Sequence, residues 1–447
     1  MQRRLGGWVL ALAVLVGMVA GCSNQDAARN DDVVTIRWLI GFGTGLEAGQ
    51  LEVEQGLVDQ FNATHDDVQI EIVVRELFAG SPEWDEVKAS DEAPDIIGPI
   101  GQSAALDAKD DWLVLTREEL GDVEFEPATL ESVAVDGGYA GVPIGVYPSM
   151  MIVNRKAFAE QGLALPPDRF GDPYQGQTWD WDAVSGLARQ LTLDADGNHP
   201  GDPGFVPART SQFGFASQYV ITPVFGQSFG QGRAEVANGR MEPPPGVIDG
   251  WLWLRERIYV DETAPNQSEI GSDLLDEGSP FTSGNVAMAI AYSWALPPVA
   301  ESPVAPEVNF AVPPSHDGVS QVPYHFDEFK VLSTTQHRAE AVEAMQFLLN
   351  QDEGDLFTAW GPVPARVDLQ SRYVETMQAE FPGSNFSDEF LDQLLTHLSV
   401  PSPENGMSLT GAEDAADQFS ADLLGNPDKD PNQIIDDFLV ALAAGNE

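Results

Sequence analysis

The chain has 447 residues, of which 71 are Asp or Glu and 22 are Lys or Arg, giving a formal charge of −49. Such a field repels nucleic acid and anionic membrane surfaces, so no nucleic-acid partner is expected. A single cysteine excludes an intramolecular disulfide, and 43% apolar residues in a chain this long are enough to bury cores in two domains. Only Lys88, Lys109, Lys156, Lys330 and Lys429 are lysine. A saline exterior, or an acidic lineage whose high-GC genome disfavours lysine codons, would each account for this.

In chain order, Arg3 and Arg4 precede an apolar run from Trp8 to Val19, and small residues lead to Cys22. These are a positive n-region, a short h-region and a small-residue cleavage site, too short for the roughly 20 apolar residues of a bilayer span. Residues 1–21 resemble a bacterial lipoprotein signal peptide, whose cleavage would leave Cys22 as an acylated N-terminus. Each buried CH2 of such chains contributes about 0.8 kcal/mol to anchoring. An ordinary secretory signal with an incidental cysteine is the plainer reading, but the sole thiol stands where lipidation needs it. The Arg3-Arg4 pair fits a twin-arginine signal poorly. Residues 22–32 read as a polar tether, and no later stretch is long and apolar enough to span a membrane.

Val34, Ile36, Trp38 and Ile40 alternate as a strand, Gly41, Gly43 and Gly45 form a turn, and Val53, Leu57, Val58 and Phe61 recur at helical spacing. Val68, Ile70, Ile72 and Val74 alternate again, so the order is strand, helix, strand, an α/β unit. Ala93-Pro94-Asp95-Ile96-Ile97 predicts a short buried strand. A second α/β pattern begins near Met150. Thr178-Trp179-Asp180 opens a helix with Val184, Leu187 and Leu191 on one face and Asp180 or Thr178 as its cap. Further helices are predicted around Trp251–Ile258, Val342–Leu349 and Ile434–Leu442, with a Pro-rich return through Pro297, Pro298, Pro303 and Pro306.

Several stretches together resemble the extracellular solute-binding proteins of ATP-driven importers, in the carbohydrate-binding group that includes maltose-binding protein. They are the opening strand TIRWLIGFGTG; Ala93-Pro94-Asp95-Ile96; Gly138-Tyr139-Ala140-Gly141-Val142-Pro143, followed by Asn154-Arg155-Lys156-Ala157-Phe158; and Pro166-Pro167 leading to Thr178-Trp179-Asp180. Phe281-Thr282-Ser283-Gly284-Asn285-Val286-Ala287-Met288 then runs into Ser293-Trp294, and the series closes with Ala339 to Leu349 and Trp360-Gly361-Pro362-Val363-Pro364-Ala365-Arg366. The resemblance covers roughly residues 33 to 370. It implies a two-lobe α/β fold with a ligand cleft between discontinuous lobes, drawn here as 33–146 plus 290–328 and 147–289 plus 329–447. Chain crossings would fall near Val146, Ile290 and Glu328. Ligand would bridge both lobes only when they close, and a membrane permease with a separate ATPase would read the closed state. Relatives usually carry an aromatic residue just before Asn154, where this chain has Met150-Met151-Ile152-Val153.

A sugar presents apolar C–H faces and hydroxyls, so its site needs aromatic platforms beside polar acceptors. Trp294, after the Ala287–Tyr292 strand, is the first candidate platform, and the resemblance also places an aromatic there. Trp360 is the second; Tyr147 and Phe42 are further candidates that could equally pack in a core. Among polar groups, Glu47, Asp95, Asp327, Glu328 and Arg366 stand at strand ends, crossings or the Trp360 loop, although most carboxylates in so acidic a chain are surface charges.

Other motifs are discounted. Gly226-Gln227-Ser228-Phe229-Gly230 matches a nucleophile elbow, but Gly230-Gln231-Gly232 opposes the helix an elbow requires. Asp194-Ala195-Asp196-Gly197-Asn198 resembles part of a calcium loop with its glycine too early and no closing glutamate. The histidines lack metal-ligand spacing, and no G-x-x-x-x-G-K cradles phosphate, so neither metal nor cofactor is expected. The expected function is a lipid-anchored receptor for a mono- or oligosaccharide, without catalysis. A same-fold receptor for a polyol, glycerol phosphate or polyamine, and a secreted carbohydrate-active hydrolase, are the alternatives.

Overall fold

A computed structural model describes residues 33–42, 46, 48–77, 81–101, 105, 109–218, 220, 222–230, 232, 234–276, 278–350, 356, 361–401 and 412–445. The expected signal peptide and tether, with Cys22, and the candidates Glu47 and Trp360 lie outside these residues.

The first half contains β1 (Val34–Ile40), α1 (Ala48–Thr64), β2 (Val68–Val74), α2 (Pro82–Lys88), β3 (Ile96–Gly101), β4 (Val142–Asn154), α3 (Arg155–Glu160) and α4 (Trp181–Leu191). Then come β5 (Ala216–Gln218), α5 (Val247–Tyr259), β6 (Met288–Tyr292), β7 (Val308–Ala311), β8 (Val322–Val331), α6 (Arg338–Leu349) and β9 (Val363–Pro364). Four helices close the described chain: α7 (Gln370–Glu380), α8 (Asp388–Thr396), α9 (Glu413–Gly425) and α10 (Pro431–Gly445).

The first lobe is a sheet in the order β2-β1-β3-β8-β4, parallel from β2 to β3 and antiparallel beyond. Both its faces are covered, as a parallel sheet requires. Ile36, Trp38 and Ile40 of β1 meet Leu57 and Phe61 of α1 and Met345 and Leu348 of α6 on one face. On the other, Leu39 packs with Phe42, Trp84 and Trp112. In the second lobe, the C-terminal half of β4 lies between β6 and β7, with β5 parallel to β6. Its core gathers Met150, Met151, Ile152 and Val153 with Trp181, Phe215, Phe225, Trp253 and Phe310. The four residues Met150–Val153 are therefore fully buried core and form no cleft wall. Asp180 caps α4, its carboxylate accepting from Ala183 N. Helices α9 and α10 add a separate cluster around Trp251.

Two strands join the lobes. β4 pairs with β8 from Val142 to Pro148 and with β6 from Ser149 onward, so its middle is a crossing. β8 runs back beside it, with a register shift between Asp327 and Glu328. The extra residue there is Ile144 of β4, so β8 itself keeps its alternation. Tyr324 and Phe326 enter the second core, whereas Phe329 and Val331, on the opposite face of β8, enter the first.

The lobe ranges drawn from the resemblance need correction. Ile290 is no crossing: it is fully buried and pairs with Met151 inside the second sheet. Residues 290–311 join the second core through β6 and β7, while 329–349 return to the first, because β8 re-enters the first sheet and α6 covers its apolar face. The chain passes between the cores again near β9, since Val363 packs in the second, Ala365 and Leu369 in the first, and Tyr373 in the second.

Candidate functional site

Strand pleating assembles a polar and aromatic face at the crossing. Tyr147 lies directly opposite His325, Gly145 opposite Asp327, and Tyr292 opposite Ser149. Opposed residues share a face, and so do residues two apart, so Tyr147, Ser149, His325, Asp327 and Tyr292 project together. Tyr147 donates its hydroxyl to Asp327 Oδ2 at 3.0 Å. Trp294, just past β6, stacks on Tyr292 with ring centroids 4.4 Å apart and 7° between planes. It meets Tyr147 at 5.6 Å and His325 at 4.7 Å in edge-on contacts. The indole stays half-buried, with Tyr292 on one face.

The electrostatics of this face are unusual. Burial pushes the Asp327 carboxyl up to about 6; the Tyr147 hydrogen bond opposes the rise and Glu328 adds to it. Burial lowers His325 to about 3, so its ring is neutral, and its buried Nε2 has no hydrogen-bond partner among the described residues. Burial, Asp327 and their mutual hydrogen bond raise the Tyr147 phenol, which therefore acts only as a neutral donor. Ser149 Oγ is likewise buried without a partner among the described residues. Unfilled polar groups beside a partly exposed indole suit a neutral, hydroxyl-bearing ligand.

Of the sequence candidates, the structure brings together Tyr147, Trp294 and Asp327. The other described ones sit elsewhere and are occupied. Phe42 packs edge-on against Trp84 at 4.9 Å inside the first lobe. Asp95 accepts from Arg37 N at 3.0 Å and Thr335 Oγ1 at 2.5 Å, tying β3 to β1 and to the turn after β8. Glu328 forms a buried ion pair with Lys330 at 2.7 Å. Arg366 donates to Leu349 O at 3.0 Å and to Asp368. The discounted motifs have structural work: Ser228 is buried, Phe229 stacks on Trp181 at 4.3 Å, and the described residues just beyond, 230, 232 and 234, are not helical. Asp194 accepts from Asp196 N, Asn198 N and Val206 N, which fills its carboxylate from within the turn.

Tyr292, His325 and Ser149 were missed by the sequence reading. The available signal was the period of two: Tyr292 precedes Trp294 by two residues, His325 precedes Asp327 by two, and Ser149 follows Tyr147 by two. Gly145 belongs to the same face for a different reason. A Cβ there would collide with the ring of Pro362, so glycine lets β9 lie against β4.

Comparisons with known proteins agree with this architecture. The chain is 25% identical over 354 residues to an uncharacterized lipoprotein in the oleD 5' region of Streptomyces antibioticus, covering 76% of this chain and 72% of that one. Its fold is similar to M. tuberculosis UspC, with a TM-score of 0.70 at 19% identity over 92% of this chain and 100% of that one. It is also similar to maltose-bound T. maritima MalE3, with a TM-score of 0.61 at 18% identity over 92% and 99%. No helix among the described residues is long and apolar enough to cross a membrane. Residues 56–380 match the family model for bacterial extracellular solute-binding proteins, and the chain belongs to that family of extracytoplasmic, two-lobed receptors, which bind solutes without transforming them.

Proposed function

We propose that this protein is the sugar-capturing receptor of an ATP-driven importer, anchored through Cys22 and delivering its ligand to a membrane permease served by a separate ATPase. The observation that carries the reading is the half-buried Trp294 beside Asp327 and Tyr147 where the two lobes join. An indole offers a platform for the C–H face of a sugar ring, and a carboxylate accepts from its hydroxyls. Proteins of similar fold bind sugars: MalE3 maltose, a Thermus thermophilus protein maltotriose, Lmo0181 of Listeria monocytogenes cycloalternan, and GacH of Streptomyces glaucescens acarbose. The lipoprotein name of the Streptomyces antibioticus relative supports the anchor. A tether holds the receptor near its permease and raises its effective concentration there.

A polyamine is the second reading, since a carboxylate beside aromatic rings also suits an ammonium group. Thermal melting of the form lacking residues 1–22 separates the two. A ligand at 100 times its Kd adds about 2.7 kcal/mol, so maltose, maltotriose, acarbose or cycloalternan should raise the melting temperature while spermidine does not. A shift with spermidine alone replaces the sugar assignment. Cys22→Ser should bind the same sugar and leave the membrane fraction; retention there refutes the anchor.

A further inference from the structure

Asp327 Oδ2 is held by Tyr147, but Oδ1 has no hydrogen-bond partner among the described residues. Oδ1 lies beside Gly101, where even an added Cβ would stop 3.7 Å away, so no side chain covers it from that strand. The ionisable groups facing it are few. β4 contributes the Tyr147 phenol, on which Tyr373 of α7 also acts electrostatically. β8 carries His325 and Glu328, and β6 contributes Tyr292, beside the indole of Trp294, which does not titrate. The neighbouring residues of β3 and β9, Gly101, Val363 and Pro364, do not titrate. The one cation on these strands, Lys330, is committed to Glu328. An ionised carboxylate can accept about four hydrogen bonds. With a single donor supplied and the charge buried, unliganded Asp327 holds its proton to a higher pH than an ordinary carboxyl does.

We propose, resting on the sugar-receptor reading above, that Asp327 is the specificity-determining acceptor for a ligand hydroxyl and that capture of the ligand expels the proton from its carboxyl group. The balance is simple: the carboxyl group loses one proton to the buffer, the ligand hydroxyl donates a hydrogen bond to the carboxylate oxygen left behind, and no covalent bond of the ligand changes. Tyr147 remains the neutral donor on the other oxygen. Binding is then linked to pH. With a free carboxyl near 6 that must ionise, apparent affinity falls about tenfold from pH 7 to pH 5, and capture releases about nine-tenths of a proton at pH 5 against about one-tenth at pH 7. A receptor of this kind loads at neutral pH and empties in acid.

Calorimetric titration of the receptor with maltose, maltotriose, acarbose and cycloalternan, in two buffers of different ionisation heat at pH 5 and pH 7, reads the proton directly. The expected result is a buffer-dependent heat at pH 5 that nearly vanishes at pH 7, with the tenfold affinity change. Asp327→Asn keeps an acceptor oxygen, so it should still bind, with affinity independent of pH between 5 and 7 and no proton release. A sugar that binds with equal heats in both buffers at pH 5 overturns the proposal and leaves the sugar reading standing. Binding of spermidine and of none of the four sugars overturns both, and so does the absence of any sugar binding. Should Asp327→Asn not fold, the two-buffer titration of the unaltered protein decides by itself.

Discussion

Asp194, in the second-lobe turn after α4, and Asp327, at the crossing, are both buried, yet their environments are opposite. Asp194 receives three backbone N–H groups and the Asn198 amide, and its carboxyl sits at about 2. Asp327 receives one phenol and sits at about 6. Burial acts against the charge at both sites, and the number of donors decides the outcome. A turn that only has to hold its shape saturates its carboxylate. At the crossing, His325 Nε2 and Ser149 Oγ have no partner among the described residues and Asp327 has one donor, so polar capacity is left unused there.

The largest test of this contrast lies one residue beyond Asp327. Glu328 and Lys330 are both almost wholly inaccessible and 2.7 Å apart. Lys330→Met would leave Glu328 buried without a counter-charge, and such breaks cost about 3–5 kcal/mol. Denaturant titration at pH 7 should show that loss, and adding Glu328→Gln should recover most of it. No loss would mean that the pair is not buried in solution.

At the unsaturated site the sign should reverse. Asp327→Asn removes a carboxyl that is costly to ionise, so unliganded stability at pH 7 should rise, by up to about 3 kcal/mol for a carboxyl moved from about 3.9 to about 6. The stability that wild-type Asp327 contributes is present below pH 4 and is lost as pH rises through 6. His325 runs the other way over much of this range, since a histidine lowered to about 3 gives stability that grows as pH rises toward 6.5. The difference between wild type and Asp327→Asn, rather than either curve alone, therefore isolates the aspartate. An unchanged difference from pH 4 to pH 7 would show that Asp327 finds donors absent from this structure.

Trp294→Ala should weaken sugar binding by about 1 kcal/mol or more while melting in the unliganded state changes little, because the ring is only half-buried. Equal sugar affinity in calorimetry would remove the indole from the site.

How much of this was legible beforehand depends on the strand. β1, α1 and β2 announce themselves because their apolar residues repeat with periods of two and near four, and α4 names its own cap. β4 does not, since all 13 of its residues are buried and its polar members, Tyr147 and Ser149, are hidden within an apolar run. β8 is harder still. Its core residues change parity midway, Tyr324 and Phe326 on one face and Phe329 and Val331 on the other, because the two halves of the strand serve different cores. The resemblance points to an aromatic at Trp294, a place at the crossings suggests Tyr147, Asp327 and Glu328, and a strand end or loop suggests Asp95 and Arg366; sequence does not separate them, because a buried and satisfied charge looks there like one waiting for a ligand.

The counterpart of Asp327 is the saturated carboxylate itself. Burial works to raise the Asp194 carboxyl, but the Asn198 N–H and amide, with the N–H groups of Asp196 and Val206, outweigh it. A folded value near 2 lies below the unfolded value of about 3.9, so its stabilisation is fully present above pH 4 and is lost as pH falls toward 2. The slope is thus opposite in sign to that of Asp327 and lies in a more acidic window. Asp194→Ala should melt lower than wild type at pH 7 and converge on it near pH 2, whereas Asp327→Asn should converge on wild type near pH 4. If the two differences instead rose and fell together with pH, donor number would not be what separates a structural aspartate from a binding one in this protein.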